Sequence, residues 1–505
     1  MPWATGAKAR TRVDVYAPAM GHGEAVEKVT RQRAEAMASR LIEADHWRKG
    51  MSPGYPLGLN IVDNTSMYTS WEDMAIVLAG PRSGKSLCYA IPAVLSAPGP
   101  CLATSNKGDI LDVTAPIRRL DHPNGRIWTF DPERIADPNR KSAPWVWDLI
   151  ASVQSIADAK RIADCWRYAS GQPQTGGDDF FPGTAAQQLA DYLFAAHLGG
   201  RSVSDVFRWC SNERDTSPAD ILSEYPRYAG IASRVSSVIA LTPETRSGVF
   251  GSLQTMVAFL ADPEIIDWID PHRDTEGNID ERRGLFDPYE FATSEDTLYL
   301  LSAQGRPSTA LTASLTAVVA FTAFQRAQSE FADNNRRLPV PLCCVLDEAA
   351  NICRWPELAD VYSYFGSAGI PIMTIWQNPD QGKAAFGETN FGSLFNNANI
   401  TVYLGGIKDA KFLGEISQLV GQREIVRGSV NIDGTGRRSV NNSIQKENIL
   451  DVSDLTEWPV GRALLLASQS RAQIVKTLPW TGNRQWADAL AQAKAKAREE
   501  QRKAA

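Results

Sequence analysis

Short apolar segments recur along the chain, and most of them are bounded by Gly, Pro, Asp or Asn. Eight of these segments have the length of a strand and are separated by stretches long enough for a helix. This alternation predicts a mostly parallel sheet of the α/β class. The predicted strands are 74–78, 101–104, 126–130, 297–302, 341–346, 370–376, 399–404 and 462–467.

The middle of the chain has a different pattern. Helical periodicity marks 184–198, 229–241 and 248–260, and strand signals are few between 151 and 290. This predicts an all-α domain inserted into the α/β domain. The predicted divisions are a helical N-terminal arm (1–50), the first part of the α/β domain (51–150), the all-α domain (151–290), the second part of the α/β domain (291–480) and a helical tail of mixed charge (481–505).

Two segments have a loop-like composition. Gly, Pro and Asn are frequent in 51–70, which predicts a loop. Segment 421–446 is rich in Gly, Ser, Asn and Arg, which predicts a long loop or a mobile hairpin. It is either a basic element that contacts DNA phosphates in a channel or a solvated surface loop. Its basic residues are Arg423, Arg427, Arg437, Arg438 and Lys446.

Composition and charge restrict the functional classes. The chain has 505 residues, of which 43% are hydrophobic and 22% are charged, and its formal net charge is −6. This bulk charge does not favour coating of duplex DNA, so any contact with nucleic acid needs a local basic surface. The seven cysteines include no CxxC pair and the five histidines are scattered. The cysteine pattern fits a reducing cytosol, and because the histidines form no metal-spaced cluster with the cysteines, we expect no structural metal site.

No apolar run reaches the roughly 20 residues that a membrane span needs. The longest candidate, 310–324, contains three threonines and predicts a buried helix. We therefore expect no membrane-spanning segment in this sequence.

The motif AGPRSGKS at 79–86 matches a phosphate-binding loop (P-loop), with Ala79 in the first glycine position. It follows a predicted strand and precedes a helical segment, 87–95. In that context Lys85 would reach the β- and γ-phosphates and the Ser86 hydroxyl would ligate Mg²⁺, whereas the alternative is a chance Gly/Ser turn. The residues predicted to bind the nucleotide are Gly80, Pro81, Arg82, Ser83, Gly84, Lys85, Ser86 and Leu87.

Two acidic residues end the predicted strand 341–346. Asp347 is expected to hold Mg²⁺, and Glu348 is expected to be the general base that orients the attacking water. The alternative is that both acids cap the next helix. Because the P-loop would bring phosphates to the same sheet, we favour the magnesium and general-base roles.

A polar residue, Gln377, stands at the tip of the apolar strand 370–376, within the stretch GSAGIPIMTIWQNPDQ (366–381). Strands of a nucleotide-binding parallel sheet end at the ligand edge. We therefore predict that Gln377 contacts the γ-phosphate or the attacking water, and the alternative is a turn residue before Asn378 and Pro379. Gln381 is expected at the surface, where the next helix begins.

Several longer segments resemble one and the same protein family. They are GPRSGKS (80–86), ATSNKGDILDVTAPIRR (103–119), GRIWTFDPE (125–133), ETRSGVFGSL (244–253), VLDEAANICRWPELADVYSYFGSAGIPIMTIWQNPDQ (345–381), NNANITVYLGG (396–406), LVGQRE (419–424) and ILDVSDLTEWPVGRALLLAS (449–468). Over about residues 57–480 the chain resembles the coupling ATPases of type IV secretion and conjugation, the TraG/TraD class, most closely in forms from actinobacteria.

This resemblance implies a RecA-like P-loop NTPase domain with an inserted all-α domain, and an enzyme that uses ATP and Mg²⁺. It also implies a homo-hexamer when active, with ATP between subunits and DNA in a central channel. Such proteins act at the cytoplasmic face of the cell membrane, where they bring relaxase-bound single-stranded DNA to the components of a type IV secretion channel. The motif Lys107-Gly108-Asp109 matches a family motif after the second strand, and we expect it near the nucleotide edge.

Two features depart from the family pattern. Relatives usually have two N-terminal transmembrane helices, whereas we expect none in this sequence. We therefore expect that either an anchor was removed or a separate membrane partner recruits the protein. Relatives also often have an arginine, which acts on the γ-phosphate of a neighbouring subunit, where this chain has Gly366. Such an arginine is typically worth about 10³–10⁵ in rate. Arg354, Arg306 or Arg423 could replace it, and we rank Arg423 first because it follows a predicted strand–helix unit near the sheet edge.

Three functions are compatible with these motifs. The favoured one is a DNA-stimulated ATPase that couples conjugative transfer to a secretion channel. An FtsK-like duplex DNA translocase is a second, although no basic winged-helix pattern follows residue 480. A nucleotide-binding substrate receptor with weak hydrolysis is a third, because of Gly366.

Overall fold

The computed structural model describes residues 11–48, 50–172, 179–271, 283–306, 308–432 and 438–504. Their strands are β1 (Pro56–Asn60), β2 (Ser66–Tyr68), β3 (Ala75–Leu78), β4 (Cys101–Ser105), β5 (Ile127–Phe130), β6 (Trp145–Trp147), β7 (Gly284–Phe286), β8 (Thr297–Leu301), β9 (Cys343–Leu346), β10 (Ile372–Trp376), β11 (Ile400–Tyr403), β12 (Gln422–Ile432), β13 (Arg438–Asn448), β14 (Arg462–Ala467) and β15 (Gln473–Lys476).

The α-helices of these residues are α1 (Arg31–Leu41), α2 (Ile91–Ser96), α3 (Asp109–Asp121), α4 (Ile156–Ala169), α5 (Phe180–Leu198), α6 (Val203–Ser211), α7 (Ser217–Ser223), α8 (Ala229–Ile239), α9 (Pro243–Val257), α10 (Pro263–Ile269), α11 (Pro288–Phe291), α12 (Ser308–Ser329), α13 (Ala349–Ile352), α14 (Leu358–Val361), α15 (Pro379–Phe386), α16 (Glu388–Asn397), α17 (Ala410–Val420), α18 (Val452–Thr456) and α19 (Arg484–Ala504). A π-helix (Ser86–Ala90) leads into α2. The 3₁₀ helices are Arg12–Val15, Ala17–Ala19, Gly23–Val29, Pro226–Tyr228, Ala258–Ala261, Ala332–Asn334 and Trp480–Gly482.

An 11-stranded sheet forms the centre of the structure. Its parallel part has the strand order β11-β3-β10-β9-β4-β8-β5, and beyond β11 the strands β14, β15, β1 and β2 continue the sheet in antiparallel pairing. All the strands predicted from the apolar pattern lie in this sheet. The expected α/β class with a mostly parallel sheet is confirmed.

The segment 51–70 is not a loop, and the prediction from its composition was wrong. It contains β1 and β2, whose residues are buried. Gly58 in β1 has a φ of +134°, and a Cβ atom there would lie 2.6 Å from the carbonyl oxygen of Lys476 in β15. The glycine that weakens the strand signal is thus required by the close approach of the neighbouring strand.

The basic segment 421–446 lies within an antiparallel hairpin, the second of the two forms predicted for it. Strands β12 and β13 pair from Gln422 opposite Asn448 to Ile432 opposite Arg438, and they form a two-stranded sheet of their own. Arg437 lies outside the described residues, as do the side chains of Arg427 and Arg438.

Between β6 and β7, the described residues form helices α4 to α10 with their connecting turns. Helices α4 and α5 pack together, and α5 also contacts α6 to α9. Large buried side chains, among them Trp166, Tyr192 and Trp209, fill the space between these helices. Helix α4 also packs on α12, which connects the helical region to the α/β region. The domain limits given above stay a prediction.

Helix α12 is the one helix among the described residues that is long and apolar enough to cross a membrane. In its most apolar window, 78% of the residues are buried inside the protein. Helix α9 with its following 3₁₀ turn passes the same test only together with α10, and the two are bent by 86°. A buried core helix meets these criteria as readily as a membrane span does.

Candidate nucleotide site

The ends of three neighbouring parallel strands bring the predicted site residues to one edge of the sheet. Strand β10 lies between β3 and β9, in parallel register with both. The P-loop follows β3, Asp347 and Glu348 follow β9, and Gln377 follows β10. Because the carboxyl ends of parallel strands meet at the same edge, these side chains converge.

Backbone contacts fix the start of the P-loop. The Gly80 N–H group donates a hydrogen bond to the carbonyl oxygen of Gly405 over 2.9 Å. A Cβ atom at Gly80 would lie 2.5 Å from the carbonyl oxygen of Gly406, so only glycine fits where the P-loop passes the turn after β11. The Ala79 N–H group donates to the carbonyl oxygen of Trp376 at the tip of β10.

The rest of the loop presents backbone N–H groups at the start of a helix. Gly84 has a φ of +87° and Arg82 a φ of +61°, the left-handed conformations of a tight turn. Within the described part of the chain, no acceptor receives the N–H group of Gly84 or of Lys85. The chain then enters the π-helix at Ser86, a local form that is frequent at functional sites. Free N–H groups in this position suit phosphate oxygens.

The other predicted nucleotide-binding residues differ in their exposure. Pro81 and Arg82 are exposed, and Ser83 is half-buried, with a hydroxyl that donates to the carbonyl oxygen of Gly80 over 2.7 Å. Ser86 is half-buried, and the apolar side chain of Leu87 is 42% exposed.

The ammonium group of Lys85 contacts both acids that follow β9. Its Nζ forms a hydrogen-bonded ion pair with Oε1 of Glu348 and lies 3.4 Å from Oδ1 of Asp347. Both acidic side chains are 4% exposed, and the Lys85 side chain is 14% exposed. The three charges thus form one compact cluster that is mostly shielded from water.

Glu348 receives two further donors. The amide Nε2 of Gln377 donates to Oε1 over 2.8 Å and to Oε2 over 2.9 Å. The amide Nδ2 of Asn351 donates to Oε2 over 2.8 Å. Glu348 itself has a left-handed backbone, with φ 55° and ψ 38°. This conformation is costly for a residue other than glycine, and such strain clusters at functional sites.

Burial and the neighbouring charges move the pKa values of the two acids in opposite directions. Desolvation raises the pKa of Asp347 to about 6, although Lys85 acts in the other direction. Desolvation would also raise the pKa of Glu348, but the hydrogen bonds from Lys85, Gln377 and Asn351 outweigh it and lower that pKa. Glu348 is therefore a stable carboxylate near neutral pH.

The chemistry of these residues fits a nucleotide with Mg²⁺. Oδ1 of Asp347 is buried, and no hydrogen bond reaches it from the described residues. A buried carboxylate oxygen that accepts no hydrogen bond, at the same edge of the sheet as the P-loop, is the kind of ligand that Mg²⁺ uses, directly or through water. The free N–H groups of the loop suit the phosphates, as described above.

The structure differs from both alternatives that the sequence left open. Glu348 stands at the N-cap position of α13, yet its side chain makes no capping hydrogen bond. The capping residue after β10 is Asn378, which accepts from the N–H group of Gln381 over 2.8 Å. Gln377 instead points its amide at Glu348, and Gln381 is half-buried at the start of α15.

Gly366 and the three arginines that could replace the family arginine have distinct environments. Gly366 is buried, and Arg354 donates to the carbonyl oxygens of Ala350 and Tyr168. Arg423 lies over a tyrosine ring in the N-terminal region, 5.6 Å from its centroid. Arg306 is exposed in the turn after β8, at the edge of the sheet where the P-loop lies. Of the three candidates, Arg306 has the exposure that a group acting on another subunit needs.

Sequence reasoning missed several residues of the site. Thr104 at the end of β4 donates its hydroxyl to the carbonyl oxygen of Asp347 over 2.9 Å. The Lys107-Gly108-Asp109 motif, by contrast, was expected near this edge, and Asp109 lies near enough to raise the pKa of Asp347. Asn351 was missed although its spacing of three residues from Glu348 is that between an N-cap residue and position N3 of the helix that follows.

Comparisons with known proteins agree with this architecture. Residues 341–460 match the family model described as the TraM recognition site of TraD and TraG. Among curated protein sequences, none matches the chain. The conjugative coupling protein TrwB, in its unbound ΔN70 form, has a similar structure with 14% identity and a TM-score of 0.59, over 91% of this chain and 96% of that one.

Nucleotide complexes of TrwB are similar as well. The complex with ADP and Mg²⁺ has 15% identity and a TM-score of 0.56, over 83% of this chain and 89% of that one. The complex with the non-hydrolysable ATP analogue ADPNP has 14% identity and a TM-score of 0.57, over 89% and 92%. At these identities the matches establish the fold. With the family-model match, they confirm the resemblance to TraG/TraD-like coupling proteins.

Proposed function

We propose that this chain is an ATP-dependent coupling protein, which recruits relaxase-bound single-stranded DNA to a type IV secretion channel and drives its transfer by ATP hydrolysis. The convergence of Lys85, Asp347, Glu348 and Gln377 at the P-loop edge of the sheet carries this proposal. The similarity to a conjugative coupling protein that was solved with ADP and Mg²⁺ supports it.

In this proposal the P-loop residues from Gly80 to Leu87 bind the nucleotide. Their backbone N–H groups hold the phosphates, and Lys85 leaves the two acids to neutralise the β- and γ-phosphates. Ser86 and Asp347 would hold Mg²⁺, which supplies positive charge to the phosphates when it is bound.

Hydrolysis needs a base and a group that orients water. Glu348 accepts a proton from the attacking water while the oxygen of this water forms a bond to the γ-phosphorus. The bond between the γ-phosphorus and the bridging oxygen breaks, and its electron pair stays on ADP. Gln377 donates to both oxygens of Glu348, and from this position it would sense the γ-phosphate.

The proposed partners follow from the same resemblance. They are relaxase-bound single-stranded DNA and the components of the secretion channel, with a homo-hexamer as the active form. A membrane partner or an N-terminal anchor would hold this ring at the cytoplasmic face of the membrane. The hairpin of β12 and β13 carries Arg423 and Lys446, and it is our candidate for a contact with DNA phosphates.

One observation favours a second function, a nucleotide-binding receptor that hydrolyses ATP weakly. A Cβ atom at Gly366 would lie 2.1 Å from the carbonyl oxygen of Glu72, so no arginine can extend from this position in the present fold. Strong hydrolysis then requires an arginine from elsewhere, and exposed Arg306 is the structural candidate.

Turnover of ATP in the presence of single- and double-stranded DNA separates these functions. For the wild type we expect turnover that single-stranded DNA stimulates, and we expect Lys85→Ala to abolish it. Stimulation by duplex DNA alone would favour an FtsK-like translocase. Nucleotide binding with background turnover under all conditions would contradict the ATPase proposal and support the receptor.

A further inference from the structure

The carboxylate of Glu348 has no acceptor position left for water in this structure. An ionised carboxylate offers about four lone-pair positions. Oε1 receives Lys85 and Gln377, and Oε2 receives Gln377 and Asn351. For Glu348 to act as a general base, one of these donors has to leave, and the identity of that donor decides which oxygen meets the water.

Lys85 is the donor that nucleotide would remove. It is the only cation among the three donors, and its flexible side chain extends from the P-loop toward the acids. A phosphate group in the loop attracts the ammonium of Lys85 more strongly than it attracts the neutral amides of Gln377 and Asn351. The lone pair that becomes free is therefore on Oε1, the oxygen that Lys85 contacts.

Asn351 is the donor that the fold keeps in place. It belongs to the short helix α13, whose N-cap is Glu348, so the two residues are joined through one helical turn. Its backbone N–H group donates to the carbonyl oxygen of Glu348 over 2.8 Å, and its side chain is buried, with 7% of the residue exposed. The amide is bonded to Oε2, which Lys85 does not contact, so this bond does not depend on the ammonium that a phosphate would attract.

We propose that Asn351 is a positioning residue for Glu348, which holds Oε2 so that the oxygen released by Lys85, Oε1, is the one that meets the attacking water. This inference rests on the proposed ATPase function. The carboxylate torsion of a glutamate is broad and roughly two-fold, so the rotamer alone does not fix which oxygen faces the phosphates. The left-handed backbone of Glu348 and the bond from Asn351 supply that constraint together.

Two variants of Asn351 separate positioning from packing. Asn351→Ala removes the donor and leaves a small space, whereas Asn351→Asp keeps the shape but replaces the donor with an acceptor of like charge. Positioning predicts a fall in kcat of about 10-fold for Asn351→Ala and a larger fall for Asn351→Asp, with KM for ATP changed less than about twofold. Asn397→Ala, which removes an amide bonded to the carbonyl oxygen of Ala359, is the matched control and keeps kcat.

The nucleotide-free protein provides an independent readout. Asn351→Ala should lower the midpoint of thermal unfolding in the wild-type background, and it should lower it less in a Glu348→Gln background, because the charged acceptor is already absent. This cycle measures the Asn351–Glu348 bond without any substrate. It also distinguishes a failure of this inference from a failure of the proposed function.

The outcomes are separable. The positioning role would be overturned if Asn351→Asp had the kcat of the wild type. It would also be overturned if both variants lost kcat and nucleotide affinity to the same extent. Additive midpoint shifts in the cycle would overturn it whether or not the wild type hydrolyses ATP. Non-additive shifts in a wild type without turnover would support the Asn351–Glu348 bond and contradict the proposed ATPase function instead.

Discussion

Gly366 lies so close to the backbone of Glu72 that a Cβ atom on the glycine would be 2.1 Å from the Glu72 carbonyl oxygen. The Gly366 carbonyl oxygen also accepts a hydrogen bond over 3.0 Å from the buried guanidinium of Arg337. This guanidinium further donates to the carbonyl oxygens of Leu41 and Trp71. The position where relatives often have an arginine is thus a packed junction between four segments of the chain.

A side chain at Gly366 should therefore destabilise the protein. We expect Gly366→Ala to lower the free energy of unfolding by about 1–3 kcal/mol, because a backbone carbonyl has to move. Urea unfolding followed by circular dichroism measures the change. Gly392→Ala in helix α16 is the control, because a Cβ atom there meets nothing within 4 Å. Gly366→Arg should lose more stability and gain no ATP turnover; an active and stable Gly366→Arg protein would contradict this account.

The raised pKa of Asp347 predicts a pH-dependent cost to the nucleotide-free fold. Its folded pKa of about 6 lies above the reference value of 3.8, so folding favours the protonated acid. The stability that protonated Asp347 gives the fold is fully present below about pH 4, and it is lost as the pH rises to about 6 and the folded protein loses this proton. At pH 8 the cost is about 3 kcal/mol at most. Asp347→Asn should therefore raise the midpoint of thermal unfolding at pH 8, and the gain should shrink as the pH falls toward 5.

The control for this experiment is an exposed aspartate. Asp360→Asn, at the surface of α14, should shift the midpoint by a similar amount at both pH values. If Asp347→Asn behaved in the same way as Asp360→Asn, the burial of the Asp347 charge would not have the consequence described. In the presence of nucleotide, Asp347→Asn should lose the additional stabilisation that Mg²⁺ gives the wild type.

Gln377 and Gln381 provide a matched pair on either side of a helix start. Gln377→Ala removes both hydrogen bonds from the amide to Glu348, and we expect kcat for ATP to fall by about 10- to 100-fold. Fluorescent-nucleotide binding should change little, because Lys85 and the P-loop are intact. Gln381→Ala keeps the capping bond, which uses a backbone N–H group, and should keep kcat. Equal effects of the two substitutions would show that Gln377 has no role beyond the turn.

The apolar pattern was sufficient to predict the central strands, since buried parallel strands form short apolar runs between helices. It missed β1 and β2 because Gly58 and the surrounding Gly, Pro and Asn residues resemble a loop locally. The reason for Gly58 lies in β15, more than 400 residues away in the chain, so no local pattern contains it.

In the candidate site, too, the sequence predicted some features and missed others. Motif spacing predicted which residues meet at the sheet edge, because P-loop and acidic motifs follow parallel strands. It did not predict that Lys85, Gln377 and Asn351 all donate to Glu348, since that depends on side-chain directions across three strands. Nor did it predict that Gly366 is sterically required, because the contact with Glu72 comes from a distant loop.

The role of Glu348 is tested most directly by measuring both ATP binding and ATP hydrolysis for Glu348→Gln. The substitution keeps the size of the side chain and removes the base. We therefore expect the fluorescent-nucleotide affinity to stay within a few-fold of the wild type and turnover to fall by about 10²–10⁴. Turnover is measured at saturating ATP and Mg²⁺ with single-stranded DNA present. If Glu348→Gln turned over ATP as fast as the wild type, Glu348 would not be the general base, and the site built around it would be wrongly assigned.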